Sequence, residues 1–187
     1  MNELIRRLNS ALPNVRAWIV TTAASYSAKA TPIAALGLER LPRYFPEAVL
    51  EETRAVTVTR TPFPPIAAIG VPELASLEQM AVAGITFDNV CLVHEGLRSE
   101  SIYFHELVHA VQWQTLGVDD FLLTYAAGLV QHGYARSPLE IMAFDLQSQF
   151  DRGQEIGSTA ETIRAHARQT RAATADFFRQ HGASMGA

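Results

Sequence analysis

Ser101-Ile102-Tyr103-Phe104-His105-Glu106-Leu107-Val108-His109-Ala110-Val111-Gln112-Trp113 is the stretch whose reading decides the fold. His105 and His109 are four residues apart, so on a helix both imidazoles leave one face about one turn apart and can reach a single ion. Glu106 then points at the remaining coordination position. Phe104, Leu107, Val108 and Val111 form an apolar stripe, and Ile102, Ala110, Trp113 and Leu116 leave little polar surface elsewhere, so this helix is expected to be buried. Two histidines and a glutamate in a buried helix are costly unless something satisfies them, and a metal satisfies all three at once. The competing reading is a pair of hydrogen-bonded core histidines.

Working outward, residues 100–116, 119–132, 138–152 and 158–181 read as helices, punctuated by Gly117, Gly133 and Gly157. Before the metal helix, Ile85-Thr86-Phe87 and Val90-Cys91-Leu92-Val93 flank Asp88-Asn89 and suggest a hairpin. Residues 73–83 have the composition of a short helix closed by Gly84. From Arg54 to Arg60, Val56 and Val58 alternate with Thr57 and Thr59, the period of a half-buried strand stopped by Pro62, Pro64 and Pro65. Residues 1–30 read as one or two helices, broken near Pro13-Asn14 and ended by Thr31-Pro32. The expectation is a single α+β domain over 1–187: N-terminal helices and strands in 1–83, a site core in 84–145 and a C-terminal helix at 158–181. Its sheet is expected to be small and antiparallel, with a helical second half.

The 187 residues, 48% of them hydrophobic, can build a core without disulfides. A net charge of −4 with no dense Lys/Arg cluster gives no electrostatic footprint for nucleic acid or anionic membrane. The run Ala17 to Val20 is too short for a signal peptide, and no stretch approaches the roughly 20 apolar residues of a membrane span. With the single Cys91 unable to form an internal disulfide, the cytoplasm is the expected compartment. Cys91 itself reads as a small buried hydrophobe, His94-Glu95 as a solvated strand end, and the charges Arg164, Arg168, Arg171, Arg179, Glu161 and Asp176 as a solvated helix face.

Zinc is the expected ion: beside it a carboxylate can take a proton from an acidified water and return it to a leaving group. A catalytic zinc commonly has three protein ligands. The metzincin spacing is excluded, because Gln112 and Thr115 stand where its glycine and third histidine belong. Asp119 or Asp120 could follow the helix as a ligand, with capping of the next helix as the alternative role. Glu140 is the better candidate, 31 residues after His109 (140 − 109) at the start of a new helix. It could instead complete a capping box with Ser137, since Pro138 occupies the first helical position.

At these residues the chain resembles a gluzincin, the zinc peptidase class with an HExxH helix and a glutamate from a later helix. His105 to His109, followed by Gln112, Leu116-Gly117, Gly133-Tyr134 and Pro138 to Ala143, is similar to small bacterial metallopeptidases, over about residues 84–145. The resemblance implies a zincin-like fold, a zinc ion on His105, His109 and Glu140, and Glu106 as general base and then acid. It implies a peptide or protein substrate lying against an edge strand, with Val90 to His94 suitably placed. It further implies an oxyanion donor, for which Tyr134 and His132 are nearest. Leu139 and Phe144 depart from the thermolysin-like pattern around the glutamate, leaving the partner of the zinc histidines open. The rival function is a zinc-containing module that binds a peptide or protein without turnover.

Overall fold

In the computed structural model, which describes residues 2–180, four strands and five α-helices surround a sixth whose first half is buried. Helix α1 spans Asn2–Ser27, followed by strand β1 (Thr31–Pro32), helix α2 (Glu47–Glu52) and strand β2 (Arg54–Val58). A long irregular crossover contains α3 (Ile66–Ile69) and leads to strands β3 (Gly84–Phe87) and β4 (Val90–His94). Helices α4 (Glu100–His132), α5 (Pro138–Asp151) and α6 (Thr159–Gln180) complete the chain. The α+β class and the helical second half are as expected. Among the described residues no helix is long and apolar enough to cross a membrane.

The sheet is mixed, in the order β1-β2-β4-β3, and this corrects the expected antiparallel sheet. β3 and β4 form the expected antiparallel hairpin, with Asp88 at φ +57° in its turn. β2, however, runs parallel to β4, from Arg54 beside Val90 to Val58 beside His94. The physical reason lies in the connection, since the stretch from 59 to 83 is long enough for the crossover that parallel strands need. β4 is therefore internal and β3 is the edge, so Val90 to His94 is not available to pair with an extended substrate. Four consecutive buried residues, Val90 to Val93, now have their explanation, because a strand covered on both faces reads as a continuous apolar run. Cys91 and Val93 face the core around α4 and α5, whereas Val90 and Leu92 pack with Ile19 of α1 and with Trp113.

Two other local expectations change. Pro13 does not break α1, although it removes one backbone donor. Pro13 is exposed, so water can satisfy the carbonyl it frees, while Leu8, Ala11 and Ile19 keep both halves packed on the body. The segment at 73–83 is a 3-10 helix over Pro72–Gln79, and Gly84 begins β3 instead of closing a helix. α4 behaves as two helices, as expected: Gly117 adopts φ +71°, ψ 171°, a conformation that glycine reaches without strain. Across this kink Trp113 stacks on Phe121 with ring centroids 3.8 Å apart. α6 buries Ala160, Ile163, Ala167 and Phe178; its Arg171 is not simply solvated but pairs with both Asp120 oxygens at 2.9 and 3.0 Å. Position 181, the expected end of this helix, lies outside the described residues.

Candidate metal centre

The site is built where α4, α5 and β3 meet. Ser99 starts α4, its hydroxyl accepting from the Ile102 N–H at 3.3 Å, and the first turns then run beneath the sheet. His105, Glu106 and His109 are all buried. α5 enters at Pro138 and directs Glu140 into the same interior, where it is 2% exposed. His105, His109 and Glu140 each offer a ligand atom, all within 4.8 Å of one another, and the group could hold a metal ion. The capping-box alternative for Glu140 is not what forms: Ser137 makes no side-chain cap bond and its backbone N–H donates to the Tyr134 carbonyl.

The geometry fits a cation. The two histidine Nε2 atoms lie 3.1 Å apart, and the Glu140 oxygens approach them at 3.5 Å (His105) and 3.6 Å (His109). Two donors on a tetrahedral ion with bonds of about 2.05 Å stand about 3.3 Å apart, the scale seen here.

The tautomers follow from hydrogen-bond logic. Gln112 donates through Nε2 to the Leu139 carbonyl at 3.1 Å, so its Oε1, 2.9 Å from His109 Nδ1, must accept. Ser101 donates to Asp151 at 3.0 Å and accepts from Gln147 Nε2 at 2.9 Å, so Gln147 Oε1 accepts from His105 Nδ1 at 3.0 Å. Both Nδ1 atoms thus carry protons, and both Nε2 lone pairs face each other unless a proton or a metal ion lies between them. Glu140 Oε2 is buried with no hydrogen-bond partner, another atom oriented toward that point.

The electrostatics agree. Burial pushes the His109 imidazole down, but the Glu140 carboxylate beside it, together with Glu106 and Gln112, outweighs burial and holds it up at about 9. Burial likewise pushes Glu140 up, yet His109, His105 and the Tyr125 hydroxyl, 2.6 Å from Oε1, keep it well below the usual carboxylate range. Glu106 differs: burial dominates and raises it, against the opposing pull of His105 and His109. Thr86 of β3 donates to its Oε2 at 2.6 Å. On the other side a Cβ at Gly84 would stand 2.5 Å from its Oε1, so only glycine leaves the carboxylate room against the edge strand.

The expected residues divide cleanly. His105, Glu106, His109 and Glu140 come together, and Tyr134 lines the same cavity, its hydroxyl pKa raised by burial and then by Glu140 and Glu106. His132 is exposed and does not line it. Asp119 pairs with Arg16 at 2.9 Å and Asp120 with Arg171, so neither is a ligand. His94 accepts from the Gly96 N–H at 3.1 Å, and Glu95 is exposed. Gln112, Gln147, Tyr125 and Thr86 were not anticipated. Gln112 carried one usable signal, standing three residues after His109 on a buried face. Compared with known protein families, curated proteins and solved structures, the chain shows no match.

Proposed function

We propose that this chain is a zinc-dependent hydrolase of an amide bond, the peptide bond being the amide to which its resemblance to gluzincins points. His105, His109 and Glu140 would hold the ion, and the donor chemistry favours zinc: two imidazole nitrogens and one carboxylate are a common catalytic set. Zinc bound there supplies a Lewis acid that polarises a carbonyl and makes water more acidic at neutral pH.

The chain's own residues supply the proton transfer. Glu106 takes a proton from the attacking water and delivers it to the leaving nitrogen, while the water oxygen forms the new bond to the acyl carbon as the C–N bond breaks. Burial raises its pKa toward the working range of a base that must also return its proton. The Thr86 hydroxyl fixes one carboxylate oxygen. Tyr134 stays protonated and can donate to an oxyanion, and Tyr125 orients Glu140.

The reading is carried by one observation: a buried donor group of three side chains, with no fourth among the described residues, has a buried carboxylate on the residue after its first histidine. Metal analysis after purification without chelator, together with amide hydrolysis by the parent and Glu106→Gln, tests it. Both proteins should carry one zinc per chain and only the parent should turn over. Equal activity in Glu106→Gln, or no zinc in either protein, would refute it.

A further inference from the structure

The residues of the candidate metal centre line a partly enclosed cavity of about 180 Å³. Leu8, Leu12, Val15 and Ile19 of α1, spaced four, three and four residues apart, make one wall. Ile66, Val71, Leu74 and Leu77 of the crossover make a second, and Leu122, Ala126 and Leu129, beyond the Gly117 kink, make a third. The polar lining residues Thr86, His105, Glu106, His109, Tyr125, Tyr134 and Glu140 come from β3, α4, the 3-10 turn Tyr134–Arg136 and the start of α5. Among the described residues no Lys, Arg, Asp, Asn or Gln lines the chamber.

A polypeptide threaded along such walls would leave its amides unpaired, and each buried amide without a partner is costly. The edge strand offers limited relief. In the β3–β4 ladder the N–H and C=O of Gly84 and Thr86 face away from β4, and the Thr86 carbonyl is already taken by the Trp113 indole N–H at 3.0 Å. An aliphatic chain has no such requirement, and burying it there is favourable.

We infer that the chamber binds an unbranched aliphatic chain, so that the substrate is an amide carrying such a chain next to the bond presented to His105, Glu106, His109 and Glu140. The placement of the reacting end rests on the hydrolase reading above; the chain-binding chamber does not. The kink at Gly117 is part of this specificity, since it turns Leu122, Ala126 and Leu129 toward α1.

The test is a chain-length series read by calorimetry. Butano-, hexano-, octano- and decanohydroxamate are titrated into zinc-loaded protein, and the matching primary amides into protein dialysed against EDTA. Each added methylene should tighten binding about threefold to fourfold in both series until the chamber is filled, following the roughly 0.8 kcal/mol of a buried methylene. Leu12→Arg, which places a charge in the α1 wall, should flatten both slopes. Flat slopes in the parent, or tighter binding of trileucine amide than of octanamide, would overturn the inference. Steep slopes with no amide hydrolysed would refute only the hydrolase reading, and zinc-dependent hydrolysis with flat slopes only the chamber.

Discussion

Gly84→Ala isolates the contact that places Glu106. A Cβ at this position would lie 2.5 Å from Oε1, 2.8 Å from Cδ and 2.9 Å from Cγ of Glu106. Ordinary contact begins at about 3.5 Å, so the carboxylate must retreat by about 1 Å. It has little freedom to do so, because it is 3% exposed and holds the Thr86 hydroxyl at 2.6 Å. The Gly84 backbone is not in the left-handed region, so the cost comes from overpacking alone, about 1–3 kcal/mol. In a Glu106→Ala background all three clashing atoms are gone, and the same substitution should cost less than about 0.5 kcal/mol. Urea unfolding of the four proteins gives the coupling directly: a loss of about 2 kcal/mol moves the midpoint by about 1 M at an ordinary slope. If hydrolysis is present, a displacement of about 1 Å should also lower kcat roughly 100-fold with metal content unchanged. Additivity of the two substitutions within about 0.5 kcal/mol would refute the placement of Glu106 against the edge strand.

Gln112→Leu removes the acceptor that holds the His109 tautomer, and metal affinity should fall about 10–100-fold in a competition assay with a chromophoric chelator. In the metal-free protein the His109 pKa is raised from 6.5 to about 9, so its contribution to stability is full below pH 6.5 and is lost as pH rises through 9. Glu140 is lowered from 4.5, so its contribution is present above that value and lost as pH falls. Unfolding midpoints of the metal-free protein should therefore decline on both sides of a plateau near pH 5–6.5, and metal uptake at pH 7 should release about one proton per chain, seen as a buffer-dependent heat. Cys91 is fully buried, and burial followed by the Glu106 charge pushes its thiol up, so thiol reagents should label it only after unfolding.

The parts of the fold legible in the sequence are those fixed by short-range periodicity. The α4 stripe, the Gly117 break, the β3–β4 hairpin and the spacing of His105 and His109 all lie within a few residues of each other. The parallel pairing of β2 with β4 was not legible, because register across a long crossover leaves no local pattern. It was nevertheless implicit in the unbroken apolar run Val90 to Val93, which fits a two-sided strand better than an edge. Pro13 misled for the opposite reason, since a local rule yielded to packing on both sides of it. At the site, the chemistry-bearing residues were readable and their supports were not. Gln147 reaches His105 over 42 residues and Thr86 reaches Glu106 over 20, separations at which neither residue type carries a sequence signal.

The two glutamines have a consequence for charge. Histidine ligands are often oriented by carboxylates, but here both Nδ1–H groups donate to neutral amides, and the carboxylate behind His105, Asp151, is reached only through Gln147 and Ser101. A divalent ion held by Glu140, with Glu106 ionised beside it, brings the site to zero net charge (+2 − 1 − 1). Carboxylates at 112 and 147 would take it to −2 in a chamber whose remaining walls are hydrocarbon, where charge is poorly solvated. Without the ion, one proton on His109 leaves the site at −1, and the Glu140 and Glu106 carboxylates beside that imidazole raise its pKa. Gln112→Glu should therefore lower folding stability, because it replaces the buried Nε2 donor by a carboxylate oxygen facing the Leu139 carbonyl 3.1 Å away. In the protein that folds, it should also place a negative charge next to His109, raise the affinity for the ion and depress Glu106 acidity further, shifting any pH–rate profile to higher pH. A profile that does not move would show that the neutral amides orient the histidines without setting the charge of the site.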